Sequence, residues 1–148
     1  VCVYLSNLYE LGDSMGRTTD NQILAATAAR IRRAAGFRCV VGLYHPGCFV
    51  VVISADQRRQ YVRITVSRLC SLVAQVLTVV GRDGVTREFQ PRLGVGVVTV
   101  DPATASPMDA LHDAERQALG PPRGRVASED DIVTRPADRL TNTEPAPL

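Results

Sequence analysis

Residues 38–54 read RCVVGLYHPGCFVVVIS: two β-rich apolar runs, Arg38 to Tyr44 and Phe49 to Ser54, flank His45-Pro46-Gly47-Cys48. Proline fixes φ near −65° and the following glycine accepts φ > 0, which is the pairing a type II turn needs. The stretch therefore predicts a β-hairpin. Both runs are apolar throughout, so the two strands are expected near the middle of a covered sheet.

Working outward, Val1 to Leu5 (VCVYL) reads as a buried strand, and Asn7 to Gly16 has room for a short helix ending at Gly12 or Gly16. Thr18 or Thr19 is the expected N-cap of a long helix, with Asp20 in its first turn. Ile23, Leu24, Thr27, Ala28, Ile31, Ala34 and Ala35 recur at helical spacing, Arg30, Arg32 and Arg33 take the other face and the last turn, and Gly36 stops the helix. Beyond the hairpin, Asp56 is expected to cap a second helix running to about Leu77, with Val62, Val66, Leu69, Val73 and Val76 on its buried face. So many β-branched residues weaken its intrinsic propensity, and tertiary packing must hold it helical. A strand to Val80, a Gly81-Arg82-Asp83-Gly84 turn, a strand from Val85 to Phe89 and another from Leu93 to Val100 follow. Ser106-Pro107 is an N-cap and N1 pair opening a third helix to about Leu119. A short strand is expected near Val126 and Ile132-Val133, and residues 134–148 read as a linker or tail. The order contains βαββαβ, an α+β, ferredoxin-like arrangement: a central antiparallel sheet with helices packed on one face.

Composition narrows the function classes. The chain has 148 residues, 45% hydrophobic and 22% charged, an ordinary globular balance for one domain. No apolar run approaches the roughly 18 residues of a membrane span, so no membrane insertion is expected of this segment. All 17 basic residues are Arg, which GC-rich coding explains, and 15 acids leave a net charge of +2. That even balance argues against nucleic-acid binding, and the absence of Lys excludes Schiff-base chemistry. The four cysteines, Cys2, Cys39, Cys48 and Cys70, lie in or beside apolar runs with no CxxC pair, and only His45 and His112 are present. They read as four reduced core thiols in a cytoplasmic protein, with no legible zinc set. The chain opens inside an apolar strand, as a domain cut from a longer protein would.

Set in order, these pieces resemble the GGDEF domain, the bacterial diguanylate cyclase family that condenses two GTP into cyclic di-GMP. Gly16-Arg17-Thr18-Thr19-Asp20-Asn21-Gln22-Ile23-Leu24 is similar to the family's GHxxGDxxL, and Asp13 to the Asp of FKxxND. Phe49 with Val50 to Ile53 matches the end of GGDEF and the strand after it. Leu93-Gly94-Val95-Gly96 matches SIGVA, Leu111, Ala114 and Glu115 match LLxxAD, and Gly124-Arg125 echoes GRN. The resemblance implies a GGDEF-like domain over residues 1–126, lacking the family's first helix, and a tail or linker over 127–148.

The departures fall on the chemistry. Cyclisation requires divalent metal held by hard carboxylate oxygens. The resemblance puts the strand-one metal Asp on Tyr4 and the GGDEF signature on His45, Pro46, Gly47, Cys48 and Phe49, so the hairpin acids have become Gly47 and Cys48. No carboxylate is legible in or beside the turn, and His45 alone cannot hold a metal. The guanine-reading Asn falls on Gly12, its partner Asp on Asn21, and the late-helix phosphate Lys near Pro122, where Arg123 is a weak substitute. The RxxD inhibitory motif falls on Gly36-Phe37-Arg38-Cys39, with both its Arg and its Asp gone.

These residues carry bland readings beside the sharp ones. Pro46-Gly47 closes a hairpin. His45 beside Cys48 lacks the third partner of a nucleophile pair, so a turn His and a structural Cys are expected. Arg58, Arg59 and Arg63, with Arg68, read as a solvated helix face, with phosphate or partner contact as the alternative. Tyr4 is expected to fill the vacated pocket with its ring. The sequence thus predicts a catalytically inactive GGDEF-like regulatory or interaction module, with no cofactor and no catalytic or metal residue. Expected partners are a protein or an adjoining EAL, PAS or membrane-sensor domain, or a second copy. The alternatives are a divergent GTP- or cyclic-di-GMP-binding receptor domain and a nucleotidyl cyclase with rewired metal ligands. An RRM-like RNA-binding module shares the topology but lacks its aromatic pattern.

Overall fold

The structure, a computed structural model, describes residues 1–10, 16–54, 59–101, 103, 106–120 and the backbone of 133–134. Gly12, Asp13, Asp56, Arg58, Pro122, Arg123, Gly124, Arg125, Val126 and the tail beyond 134 lie outside them. β1 (Cys2–Leu5) is followed by a 3₁₀ turn at Leu8–Glu10, and α1 spans Arg17–Ala35. The hairpin β2 (Cys39–His45) and β3 (Cys48–Ile53) precedes α2 (Arg59–Val73). Then come β4 (Leu77–Val80), β5 (Thr86–Phe89), β6 (Leu93–Gly96), β7 (Val98–Thr99), α3 (Pro107–Leu119) and β8 (Val133–Thr134).

The main sheet has the order β2-β3-β1-β6, with every pairing antiparallel. This is the ferredoxin-like order, and β6 supplies its last strand. β4 and β5 form a separate two-stranded sheet inserted before β6, and β7 pairs in parallel with β8.

The two strand faces sort by period two. Val3, Phe49 and Val51 enter a core with Ile31, Ala34, Ala35, Leu69 and Val73, so α1 and α2 cover one face. Cys2 and Cys48 point the other way and meet Ala114 and Ala118 of α3. The expectation of helices on one face is therefore corrected. The two core helices share a face, while α3 covers the other over β1 and β6. A third cluster, Leu5, Leu8, Ile23, Leu77, Val79 and Phe89, holds the β4–β5 hairpin against α1. There Gln22 imitates a neighbouring strand: its Nε2 donates to the Val80 carbonyl and its Oε1 accepts from the Val80 N–H, both at 3.0 Å.

Local expectations meet the structure unevenly. Ser106 caps α3 by accepting from the Asp109 N–H, with Pro107 following, and Gly36 (φ 77°) ends α1 by donating to the Arg32 carbonyl. Neither Thr18 nor Thr19 caps α1, whose N-cap is Gly16, two or three residues earlier, with a φ of 81° that suits only glycine well. Thr19 is buried instead. α2 stops at Val73 rather than Leu77, because Leu77 is needed in β4; Val76 is exposed and Val62 only half-buried.

The hairpin strands also need correction. β2 is an edge strand, and on the face α3 leaves open Val40 is 71% exposed and its cross-strand partner Val52 56% exposed. Its apolar run reflects β-propensity rather than coverage. Of the four cysteines, Cys2 and Cys48 are buried but Cys39 and Cys70 only half-buried, and all four are free thiols.

Candidate functional site

The hairpin turn decides where its side chains go. Gly47 takes φ 87° after Pro46, as the type II reading requires, and the register closes with His45 opposite Cys48. The Gly47 carbonyl accepts from the Leu5 N–H at 2.7 Å, which ties the turn to the end of β1. A side chain here would be strained by φ and would press on the Leu5 carbonyl, 3.3 Å from the first added carbon. An irregularity in the ladder between Leu43 and His45 accompanies the close of β2.

At that turn the structure places a carboxylate that the sequence reading did not find. Glu115 of α3 reaches the hairpin, its Oε1 lying 2.5 Å from His45 Nε2 across a separation of 70 residues. The expectation that no acid stands beside the turn is thus overturned. The ring's other nitrogen, Nδ1, faces the Pro46 carbonyl at 3.3 Å. Cys48 Sγ lies on the same side, and the ligand atoms of His45, Cys48 and Glu115 all fall within 4.8 Å of one another. Behind Cys48, Cys2 Sγ is 3.1 Å away. Tyr4 meets the His45 ring edge-on at 6.3 Å and Tyr44 is tilted against it at 5.2 Å, while Tyr44 Oη pairs with His112 Nε2 at 3.4 Å.

Burial sets the electrostatics. The His45 and Glu115 side chains remain 38% and 18% exposed, whereas Cys48 is fully enclosed. The hydrogen bond to Glu115 raises the His45 imidazole above its ordinary value, outweighing the opposing effect of burial. Burial pushes the Cys48 thiol up and drives Cys2 far higher still. Both are therefore protonated, unreactive thiols at neutral pH, which argues against a nucleophilic pair.

A pH dependence follows for the metal-free protein. The folded value of His45 is raised, so the ion pair stabilises fully below the ordinary histidine range and its contribution fades as pH rises through the folded value. NMR titration of the His45 ring should give a midpoint above the ordinary value, and Glu115→Gln should move it down. An unchanged midpoint in Glu115→Gln would show that the carboxylate does not set it.

The other predicted residues scatter. Tyr4 is half-buried and packs against the Cys2–Cys48–Ala114–Ala118 cluster. Asn21 is exposed early in α1, and Arg59, Arg63 and Arg68 are exposed on α2, across the sheet from Glu115. Pro46 is exposed, and Phe49 turns to the opposite core. Magnesium, the ion implied by the resemblance, does not fit what stands at its positions: a phenol, a glycine and a buried thiol offer no pair of hard oxygens. A usable signal for Glu115 existed. It falls with Leu111, Ala114 and Ala118 at i, i+3, i+4 and i+7, so it lies on the sheet-facing stripe of an amphipathic helix.

No protein-family model matches the chain, and no curated protein is significantly similar to it. Two solved structures are similar in shape. An EAL/GGDEF domain protein from M. capsulatus is 20% identical, with 79% of this chain and 77% of that one covered, at a TM-score of 0.59. A truncated mutant of TpbB (YfiN) from Pseudomonas aeruginosa, comprising only the GGDEF domain, is 21% identical at a TM-score of 0.62. It is matched over 77% of this chain and 64% of its own length. At such identities the likeness carries the fold alone: this chain has a GGDEF-like fold.

Proposed function

We propose that the chain is a non-catalytic GGDEF-like domain, spanning residues 1–126, that serves as a regulatory or protein-interaction module in a cytoplasmic bacterial cyclic di-GMP signalling protein. Residues 127–148 are its tail or linker. The observation that carries this reading is the side-chain set at the hairpin end of β1 and β3. Tyr4, Gly47 and Cys48 stand where cyclisation needs metal-binding acids, and the nearby carboxylate of Glu115 is engaged by His45. Among the described residues no pair of hard oxygens stands there to hold the metal that would neutralise a triphosphate and activate a 3′-hydroxyl. The M. capsulatus protein joins an EAL to a GGDEF domain, which supports an adjoining signalling domain as the partner of this one. The exposed Val40 and Val52 on the face that α3 leaves open support the interaction side of the reading, because soluble monomers seldom leave apolar patches of sheet bare. Among the described residues, no helix is long and apolar enough to cross a membrane.

The test is incubation with GTP and magnesium, read as pyrophosphate and cyclic di-GMP, with calorimetric titration of both nucleotides. Product no higher than in a protein-free blank, with no measurable heat of binding, is expected. Sustained GTP turnover would overturn the reading, and tight cyclic di-GMP binding without turnover would replace it with a receptor domain.

A further inference from the structure

We propose that His45, Cys48 and Glu115 form a binding site for one zinc-like divalent cation at the tip of the β2–β3 hairpin. The inference goes beyond the functional reading above and does not depend on it.

Three donors of different kinds converge from three elements: an imidazole nitrogen from the end of β2, a sulfur from the start of β3 and a carboxylate oxygen from α3, all within 4.8 Å of one another. A nitrogen, sulfur and oxygen set suits a borderline-soft d¹⁰ ion and disfavours magnesium or calcium. The ring orientation is already the one a metal needs. Nδ1 faces the Pro46 carbonyl, so a proton on Nδ1 leaves the Nε2 lone pair aimed at Glu115. Cys2, 3.1 Å behind Cys48, supplies a thiol hydrogen bond to a metal-bound thiolate.

The donors sit on rigid supports. Gly47 stitches the turn to β1, and Val97 N–H donates to Gln117 Oε1 at 3.0 Å, fixing α3 against the end of β6. Tetrahedral zinc ligands stand about 3.3–3.7 Å apart, so the Glu115 carboxylate has to move back by about 1 Å from its hydrogen bond to His45. In exchange for that hydrogen bond both groups gain the ion. Binding releases the Cys48 thiol proton, and the partly exposed His45 leaves the site open to water at a fourth coordination position.

The test uses the intact chain, reduced and metal-stripped, with zinc chloride against a chromophoric chelator and cobalt chloride as a spectroscopic probe. Expected are one equivalent of zinc per chain and a cobalt spectrum with a sulfur-to-metal charge-transfer band. His45→Gln and Glu115→Gln should each weaken zinc binding by at least about 10-fold, Cys70→Ser should leave it unchanged, and magnesium should not compete. Cys48→Ser should abolish the charge-transfer band. Should that variant fail to fold, the band in the unaltered chain and the two surface variants still decide the matter. No zinc uptake would show His45–Glu115 to be an ion pair only. Uptake insensitive to both His45→Gln and Glu115→Gln would place the metal elsewhere. Either result overturns the proposal, and neither touches the expectation on GTP turnover.

Discussion

Gly94→Ala and Gly96→Ala are each expected to destabilise the domain by about 3 kcal/mol or more, and to lower the midpoint of thermal unfolding by roughly 10 °C or more. The reason is space rather than φ. A Cβ on Gly94 would lie 1.8 Å from the Ala118 carbonyl oxygen, and one on Gly96 would lie 1.9 Å from that of Ala114. These are backbone atoms of α3 and cannot swing aside as a side chain does. The two glycines face the helix opposite Tyr4 and Cys2 of β1, so α3 lies directly on bare backbone at β6. Adding a methyl group forces the whole helix off the sheet and opens the Cys2–Cys48–Ala114–Ala118 cluster. Gly42→Ala is the control: a Cβ there meets nothing within 4 Å, and its effect should stay within about 0.5 kcal/mol. Because Glu115 rides on α3, the two damaging variants should also release His45, visible as a fall in its titration midpoint. Equal stability of all three alanine variants would mean that α3 does not rest on those glycines.

The same pair of glycines shows what a sequence can and cannot reveal. The hairpin was legible because Pro46-Gly47 has local turn chemistry, and α1 because its apolar period and Gly36 are local signals. The glycines of Leu93-Gly94-Val95-Gly96 were visible as a motif, but the helix that needs them lies beyond Val100, and only the fold brings the two together. Helix α3 on the second face could not be read for a related reason. Cys2, Tyr4 and Cys48 look like any half of an apolar strand until the face they share is known. The site failed similarly. His45 and Cys48 were marked by the turn, while their carboxylate is 70 residues away and looked like a packing position of α3. The edge position of β2 escaped because apolar strand composition reports β-propensity as much as burial.

Asn7→Leu is expected to cost about 1–3 kcal/mol, from two part-buried backbone groups left without their partners. Sequence reading places Asn7 at the start of a short helix, but its buried amide does the work of a strand. Its Nδ2 donates to the Gln90 carbonyl at 2.9 Å, and its Oδ1 accepts from the Arg92 N–H at 2.8 Å. One side chain thus joins the end of β1 to the segment between β5 and β6, where leucine has neither donor nor acceptor. Asn7→Asp separates this account from simple packing. The carboxylate keeps the bond from Arg92 but faces the Gln90 carbonyl with no proton to give, and Glu10 stands nearby, within 3.4 Å of the amide it replaces. Its neutral form is therefore favoured in the folded chain, which raises its folded pKa above the unfolded value. The native state then binds more protons than the unfolded one, so relative stability falls as pH rises between those two values. Chemical denaturation of Asn7→Asp should show a deficit against the parent chain that is largest at neutral pH and shrinks on acidification, as the protonated acid donates to Gln90. Asn7→Leu should show a deficit with no such pH dependence. Equal deficits at both pH values in Asn7→Asp would assign the role of Asn7 to shape rather than to hydrogen bonding.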